Sequence, residues 1–450
     1  MKRIIIGGTK SGCGKTTVTC AILSALKRRS IEVSAFKCGP DYIDPMFHRK
    51  VIGVPSHNLD SFFCDRDTIL YLLDEYGSGS EISVIEGVMG FYDGEKGSAY
   101  SVSELTETSA VIVIDCKGMS DSIGAVMSGF LNYRSNRIAG FIFDRLSVKL
   151  IPLAKRFCDE LGTKYYGCLP KSDITIESRH LGLVTANEIS DIRSKLDKLG
   201  ELAEQYIEID KFLETEYAEF PHYNAPNLPY FSDAPTIAVA NDNAFCFIYS
   251  ENIELLKKMG CRIEYFSPLK DSNIPKADGL LLYGGYPELY AQELSANTKM
   301  LASIKKCISN GIPTLAECGG FMYLHDTLTD KDGAAYTMAG VIKGGAFPTS
   351  RLQRFGYITM NTDYDNMLCK AGESIAAHEF HYWDSTNCGN AFNAEKTDGR
   401  AWKCCHISDN LYAGFPHIYF YSNVKIAERF IRKCIEYGEK NGQSKKNSSN

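Results

Sequence analysis

Hydrophobic positions along the chain fall into short solid runs separated by amphipathic stretches, the pattern of buried parallel strands alternating with helices. The run Lys2 to Ile6 passes through a glycine-rich turn, Gly7 to Thr17, into a helical pattern from Val18 to Leu26. Ile31 to Lys37, Ile82 to Ile85, residues 109–115, Ile138 to Phe143 and Tyr165 to Cys168 continue the strands. Asp67 to Tyr76 and a stretch ending near Leu131 read as helices between them. A helical pattern from Ile189 to Leu213 gives way to EFPHYNAPNLPYFSDAP, where proline, asparagine and aromatic residues show no period and mark a boundary. The alternation restarts at Thr236 to Ala240 and continues through Arg262 to Phe266, Gly279 to Leu282 and Pro313 to Glu317. A helix is expected over Phe321 to Leu328, and strands over Leu352 to Thr359 and Ala377 to Trp383. The pattern therefore predicts two α/β domains, 1–217 and 236–438, a linker over 218–235 and a disordered polar tail over 439–450.

Composition changes this picture little. A chain of 450 residues accommodates two or three cores, and 44% hydrophobic with 23% charged residues is ordinary for a globular protein. A formal net charge of −6 offers no general attraction to nucleic acid or to an anionic membrane, so neither is expected as a partner. The opening MKRIII is too short for a signal peptide and no run reaches membrane-spanning length, which points to the cytoplasm. The sixteen cysteines are scattered singly apart from Cys404 and Cys405, without C-x-x-C spacing, and are expected as free, mostly buried thiols.

Candidate chemistry gathers at the ends of strands. The turn GGTKSGCGKTT sits between a strand and a helix N-terminus, where backbone N–H groups surround phosphate oxygens. Gly12, Gly14, Lys15, Thr16 and Thr17 are the candidate ATP contacts, with the Thr16 hydroxyl on Mg2+; Thr9 stands where the common motif has its first glycine. KCGPDYIDP ends the second strand and brings Asp41 and Asp44, followed by Asp60 in HNLDSFF. Glu86 ends a third strand in EGVMGFYDG, with Asp93 beyond it; Glu86 suits a magnesium-associated position and the aspartates a substrate or metal position. SRHLGLV offers Arg179 and His180 to an anion or to a turn.

The second domain has its own centre. Strand TLAE leads into Cys318 and Gly319, placing a sulfur at a strand-to-helix turn whose N–H groups suit an oxyanion and whose helix N-terminus is expected to lower the thiol pKa. His417 in GFPHIYF is the candidate base, and Gly284 and Gly285 in YGGYPE the candidate oxyanion loop beside Gly319. The trio His378, Glu379 and His381 fits contact with an anionic substrate better than a zinc site.

Taken in their joint order, GTKSGCGKTT, KCGPDYIDPMFH, NLDSFF, EGVMGFYDG, SRHLGLV, AVANDNAFCFIY, FSPLKD, GGYPELY, AECGGFMYL, HEFHY and GFPHIYF span nearly the whole chain. In that order the chain resembles the cobyrinic acid a,c-diamide synthase family. The resemblance implies an N-terminal P-loop NTPase-like parallel sheet of the dethiobiotin-synthetase type and a C-terminal class I glutamine amidotransferase-like α/β domain. It implies ATP- and glutamine-dependent amidation of cobyrinic acid at its a and c acetates through acyl phosphates, with L-glutamine as nitrogen donor and Cys318 and His417 as nucleophile and base. The acid usual in triad-type glutaminases two residues beyond the histidine is absent, the position being Tyr419, and members of this corrinoid branch are similar in lacking it. Nickel-sirohydrochlorin is the alternative acceptor, a homodimer is kept open, and Lys10 in the P-loop leaves a ParA-like regulatory ATPase as a more distant reading.

Overall fold

Runs rich in isoleucine and valine, too short for helices and apolar on both faces, form strands that helices cover on either side. The computed structural model describes residues 1–171, 174, 178–179, 182–183, 192–214 and 219–447. The chain separates into two units, Met1–Pro226 and Asn227–Asn450. The first unit holds β1 (Lys2–Gly8), β2 (Val33–Cys38), β3 (Ser56–Leu59), β4 (Ile82–Glu86), β5 (Ala110–Asp115), β6 (Ile138–Asp144) and β7 (Lys164–Leu169). They form a seven-stranded sheet in the order β3-β2-β4-β1-β5-β6-β7 with every pair parallel. Edge strand β3 is polar enough that the hydrophobic pattern does not mark it. Helix α1 (Lys15–Arg28) follows β1, and its Val18, Ile22, Leu23 and Leu26 pack with Ile4, Ile6, Val84 and Val113 in one core.

The helical pattern expected from Ile189 is observed as two helices, Ile192–Tyr206 and Ile209–Leu213. Ile207 interrupts it because its backbone bridges to Gly167 in β7. In SRHLGLV, β8 (Ser178–Arg179) pairs with β9 (Gly182–Leu183), while His180 lies outside the described residues.

The two units divide between Pro226 and Asn227, inside the stretch read as linker, and each half of that stretch is tied to its own unit. In the first half, Asn224 donates its N–H (3.2 Å) and its amide (2.9 Å) to Asp67, and Tyr223 donates its hydroxyl to Asp74 (2.6 Å). In the second half, Phe231 donates its N–H to Met259 (3.0 Å) and lies under the guanidinium of Arg432.

The second unit begins with β10 (Thr236–Ala240), β11 (Arg262–Phe266), β12 (Gly279–Leu282) and β13 (Thr314–Glu317). The turn after β13 leads through the short helix Gly319–Tyr323 directly into β14 (His325–Thr329). The helix expected as far as Leu328 therefore ends early, because the alternating, threonine-bearing HDTLT is taken up as a strand. After β14 come β15 (Ala335–Thr337), β16 (Ile342–Asn361), β17 (Ser374–Ser385), β18 (Phe392–Glu395), β19 (Ala401–Cys404), β20 (His406–Ile407), β21 (Leu411–Gly414) and β22 (His417–Ile418).

Two sheets result. One is six-stranded in the order β11-β10-β12-β13-β21-β20, and the other runs β15-β14-β16-β17-β22 with β18 and β19 attached to β16. Between them lies a core that includes Leu280, Leu282, Ala316, Phe321, Leu324 and Ala413. The final helix spans Val424–Asn447, so residues 439–447 are helical where the polar composition predicted disorder. Glu439, Lys440, Gln443, Lys445 and Lys446 are good helix formers, and they extend a helix whose buried Ile426, Phe430 and Ile431 have already nucleated it. All sixteen cysteines are free, thirteen of them buried.

Candidate active site

In the first unit the glycine-rich turn leaves β1 and enters α1 through Gly14, whose φ of 96° is the left-handed conformation that only glycine takes without strain. Gly12 also has positive φ, with open space where a side chain would project. Lys15 is buried and donates to the carbonyl of Lys10 within the turn (3.1 Å), and burial pulls its ammonium down. Thr16 donates its hydroxyl to Oε1 of Glu86 (2.6 Å), so the end of β4 reaches the first turn of α1. Thr17, Gly12 and Gly14 line a cavity of about 190 Å³ with Asp144 and Arg145. Burial raises Asp144 to about 6, and Arg145 is held by Asp115 at 2.6 Å. Lys10 is mostly solvent-exposed and faces Asp115 at 3.7 Å.

Lys37 is the residue of this site that sequence reasoning missed. It is the penultimate residue of the apolar strand β2 in VSAFKC, is almost fully enclosed, and donates to Asp44 and to Oε1 of Glu86 (2.9 Å), with Asp41 at 4.0 Å. A lysine inside an otherwise apolar parallel strand, just ahead of a run of aspartates, is the signal that could have found it. His48 Nε2 lies 3.4 Å from Oε2 of Glu86.

Burial alone would pull the Lys37 ammonium down, and Asp44, Glu86 and Asp41 more than reverse that. For Glu86, burial is outweighed by Lys37, His48 and Thr16, which hold the carboxyl far below the usual range. Asp44 goes the other way, raised by burial and by the Glu86 charge. Glu86 and Asp44 thus shift in opposite directions around one buried lysine.

The other expected carboxylates are more dispersed. Asp41 is half-buried and accepts from the N–H of Ile43 (2.8 Å). Asp93 is exposed and accepts from the N–H of Gly90 (2.8 Å). Asp60 is buried after β3 and accepts from the N–H groups of Phe62 (2.8 Å) and Phe63 (3.3 Å).

In the second unit Cys318 follows β13 with φ 47° and ψ −103°, a left-handed turn forced on a residue with a side chain. Its N–H donates to Gly414 of the neighbouring β21 (2.8 Å), which fixes the turn at the strand end. His417 lies on the other sheet, in β22, opposite His378 of β17. The two come together around Gly284: a methyl group added there would lie 2.6 Å from Cε1 of His417 and 3.3 Å from Cβ of Cys318. Gly285 and Gly319 are equally tight, since a methyl on Gly319 would lie 3.0 Å from the Gly285 nitrogen. The structure thus groups Cys318, His417, Gly284, Gly285 and Gly319.

The expected lowering of the Cys318 thiol pKa is reversed. Burial and the nearby Glu288 carboxylate raise it more than the Gly319 N–H lowers it, and the following helix has only five residues to contribute a dipole. Glu288, three residues past Gly285, is itself buried and pushed up to about 8.

Glu317, unremarked in the sequence, is buried between the two sheets: it accepts from the N–H of Ile418 (3.2 Å) and lies 3.6 Å from Nδ1 of His417. Glu379 accepts from or faces His381 (2.9 Å) and Arg354 (3.7 Å), and the His381 ring stacks on Phe415 at 3.9 Å. Among the described residues no group of three or more His, Cys, Asp or Glu side chains is placed to hold a metal ion. Among them also, no helix is long and apolar enough to cross a membrane.

Comparison with known proteins adds the lineage. Residues 4–184 match the CobQ/CobB/MinD/ParA nucleotide binding domain family, and residues 236–424 match the CobB/CobQ-like glutamine amidotransferase domain family. The chain is 38% identical to a cobyrinate a,c-diamide synthase of Thermoplasma volcanium, over 97% of this chain and 98% of that protein. It is 39% identical to one of Fusobacterium nucleatum, over 95% and 99%, and 36% identical to one of Listeria innocua, over 95% and 98%. With a nucleotide-binding α/β unit followed by a glutamine amidotransferase unit, and with similarity running along the full length of these relatives, the chain belongs to the cobyrinate a,c-diamide synthase family.

Proposed function

We propose that the protein uses ATP and L-glutamine to convert the a and c acetate carboxylates of cobyrinic acid to amides through acyl-phosphate intermediates. The observation that carries this reading is the convergence of Cys318 and His417 on Gly284, in a chain whose other unit sets a P-loop lysine and threonine beside buried Glu86. A carboxylate is a poor acyl acceptor, and transfer of the γ-phosphoryl group to it creates a good leaving group that ammonia displaces. Lys15 and the turn N–H groups would hold the phosphates, and the cavity beside Gly12, Gly14 and Thr17 would take the nucleoside. Lys37, held charged by its carboxylates, would stabilise negative charge on the transferring phosphoryl group.

The Thr16 hydroxyl and Glu86 carboxylate suit Mg2+, which binds proteins through few oxygens and takes the rest from phosphates and water. Held by Thr16 and Glu86, the ion would supply positive charge against the phosphate during transfer. Asp41 and Asp93, less enclosed than Asp44 and Asp60, are the carboxylates best exposed to a macrocycle.

In the second unit the Cys318 thiol is protonated at rest, so His417 takes its proton as sulfur attacks the glutamine amide carbon. The oxyanion would form beside the N–H groups of Gly285 and Gly319. Proton return from His417 to nitrogen releases ammonia, and water then cleaves the thioester to glutamate.

The test supplies the purified protein with ATP, Mg2+ and glutamine, and with cobyrinic acid and nickel-sirohydrochlorin in parallel, and weighs the products. A cobyrinic acid product about 2 mass units lighter, one for each hydroxyl exchanged for amide, is expected, and preference for nickel-sirohydrochlorin would reassign the acceptor. Cys318→Ala should abolish glutamine use and retain amidation with supplied ammonia. Loss of both in a folded variant would refute the division of labour between the units.

A further inference from the structure

We propose that Glu317 is the positioning acid of the glutaminase, holding the Nδ1–H of His417 so that the other ring nitrogen serves the thiol. The inference rests on the reading of Cys318 and His417 as nucleophile and base. Glu317 immediately precedes Cys318 in the chain, at the end of β13. Successive strand residues ordinarily face opposite sides, and the left-handed backbone of Cys318 breaks that alternation, so both side chains reach the same histidine from one strand end.

One oxygen of the carboxylate is hydrogen-bonded and the other, buried and engaged by no hydrogen bond, faces the imidazole. Oε1 accepts from the N–H of Ile418 at 3.2 Å, and Oε2 lies 3.6 Å from Nδ1 of His417. The first contact ties the carboxylate to strand β22, which also carries the histidine. Both side chains are almost wholly excluded from solvent, where a carboxylate facing an imidazole acts with little screening. Burial raises the Glu317 carboxyl, and His417 and the Ile418 N–H oppose that rise.

Of the other acids of this unit, buried Glu288 acts on Cys318 and is pushed up to about 8. The residue two beyond His417 is Tyr419, whose buried ring packs edge-on against Tyr249 at 5.0 Å. Glu379 faces His381 and Arg354. Cys318 and, across the ladder, His378, which burial pushes down to about 3, also lie beside His417, and the buried hydroxyls of Tyr283 and Tyr412 lie in the field of Glu317.

During attack, the thiol proton passes to Nε2 and the S–C bond forms. The resulting imidazolium keeps Nδ1–H on Glu317, which does not itself take the proton. Nε2 then returns the proton to the amide nitrogen as the C–N bond breaks.

The test is Glu317→Gln in the full chain, which keeps an oxygen for the Ile418 N–H and removes the charge. Glutamine hydrolysis should fall about 10²- to 10⁴-fold in kcat with KM for glutamine little changed. The acidic limb of kcat/KM should move to lower pH by about one unit, because the imidazolium has lost its anion. A merely structural role would move neither the KM-against-kcat split nor the limb.

Glu317→Asp, measured with the same circular dichroism and melting controls, should retain the wild-type limb with a smaller loss of kcat, and it serves if the glutamine variant fails to fold. Folded Glu317→Gln with kcat within about threefold of wild type and an unmoved limb overturns the proposal. His417→Asn is assayed alongside: if it too hydrolyses glutamine normally, the failure lies in the choice of base.

Discussion

Gly284→Ala isolates the glutaminase geometry with one methyl group. Gly284 is not among the positive-φ residues, so its backbone accepts alanine and the methyl group alone is at issue. That methyl would lie 2.6 Å from Cε1 of His417, 3.3 Å from Cβ of Cys318 and 3.4 Å from Cβ of Phe247. Carbon atoms rest about 3.5–4.0 Å apart, so the imidazole must retreat by about 1 Å while the other two neighbours give a few tenths. His417 is enclosed on a two-residue strand paired with β17, and relaxation of that kind costs about 1–3 kcal/mol of stability.

A displacement of about 1 Å at a reacting pair costs about 10²-fold in rate, or about 2.7 kcal/mol of barrier. The assay is glutamate release from glutamine, run beside ATP-dependent amidation with ammonium chloride. Glutamine hydrolysis should fall about a hundredfold and the ammonia-supported reaction should persist. A folded Gly284→Ala protein that hydrolyses glutamine within about threefold of wild type would refute the reasoning, since His417 would then tolerate displacement that a base in contact with the thiol could not.

Lys37→Met should leave Glu86 charged and buried without its main cation, lowering denaturant-measured stability by about 3–5 kcal/mol, and should abolish amidation with either nitrogen source. Adding Glu86→Gln should restore most of the stability and none of the activity; wild-type turnover in Lys37→Met would remove the lysine from the site. Glu288 gives a pH signature, because its buried carboxyl holds a proton up to about 8 while the unfolded chain loses it near 4.5. Its contribution to stability is full below pH 4.5 and is lost as pH rises through 8, a span on the order of 5 kcal/mol that Glu288→Gln should remove. Equal slopes of unfolding free energy against pH for wild type and variant would contradict this. Gly14→Ala would place a methyl group against the Asp144 carboxylate at a left-handed position, and should weaken ATP binding, read by calorimetry, at least tenfold; unchanged affinity would count against the turn as the phosphate site.

Particular residues mark where the sequence was readable and where it was not. The solid runs of β1, β4 and β5 announced buried parallel strands, because only a sheet covered on both faces needs apolar residues at consecutive positions. The helix expected past Cys318 failed over 325–329, where a five-residue segment had too little length for its period to separate helix from strand. Cys318 was visible from its strand end and paired glycines, but the direction of its thiol pKa was not, because burial is a property of everything packed around the sulfur. Lys37 and Glu317 were overlooked for one reason: each is a charged residue at the end of an apolar strand whose partners come from elsewhere in the fold, Glu86 on β4 and Asp44 in the helix Ile43–Phe47 for Lys37, and His417 and Ile418 on β22 for Glu317.

The sequence by itself determined the division into two α/β units, the glycine-rich strand-to-helix turn and the cysteine at a strand end, since these follow from local periodicity, glycine chemistry and residue order. Only the tertiary structure decided that Lys37 is shared between Asp44 and Glu86, and that the mixed sheet brings His417 to Cys318 and Glu317. Residues 317 and 417 are separated by strands from two sheets, and their meeting depends on the register of β22 on β17 and of β21 on β13. Register is set by the packing of whole sheet faces, which no local pattern encodes.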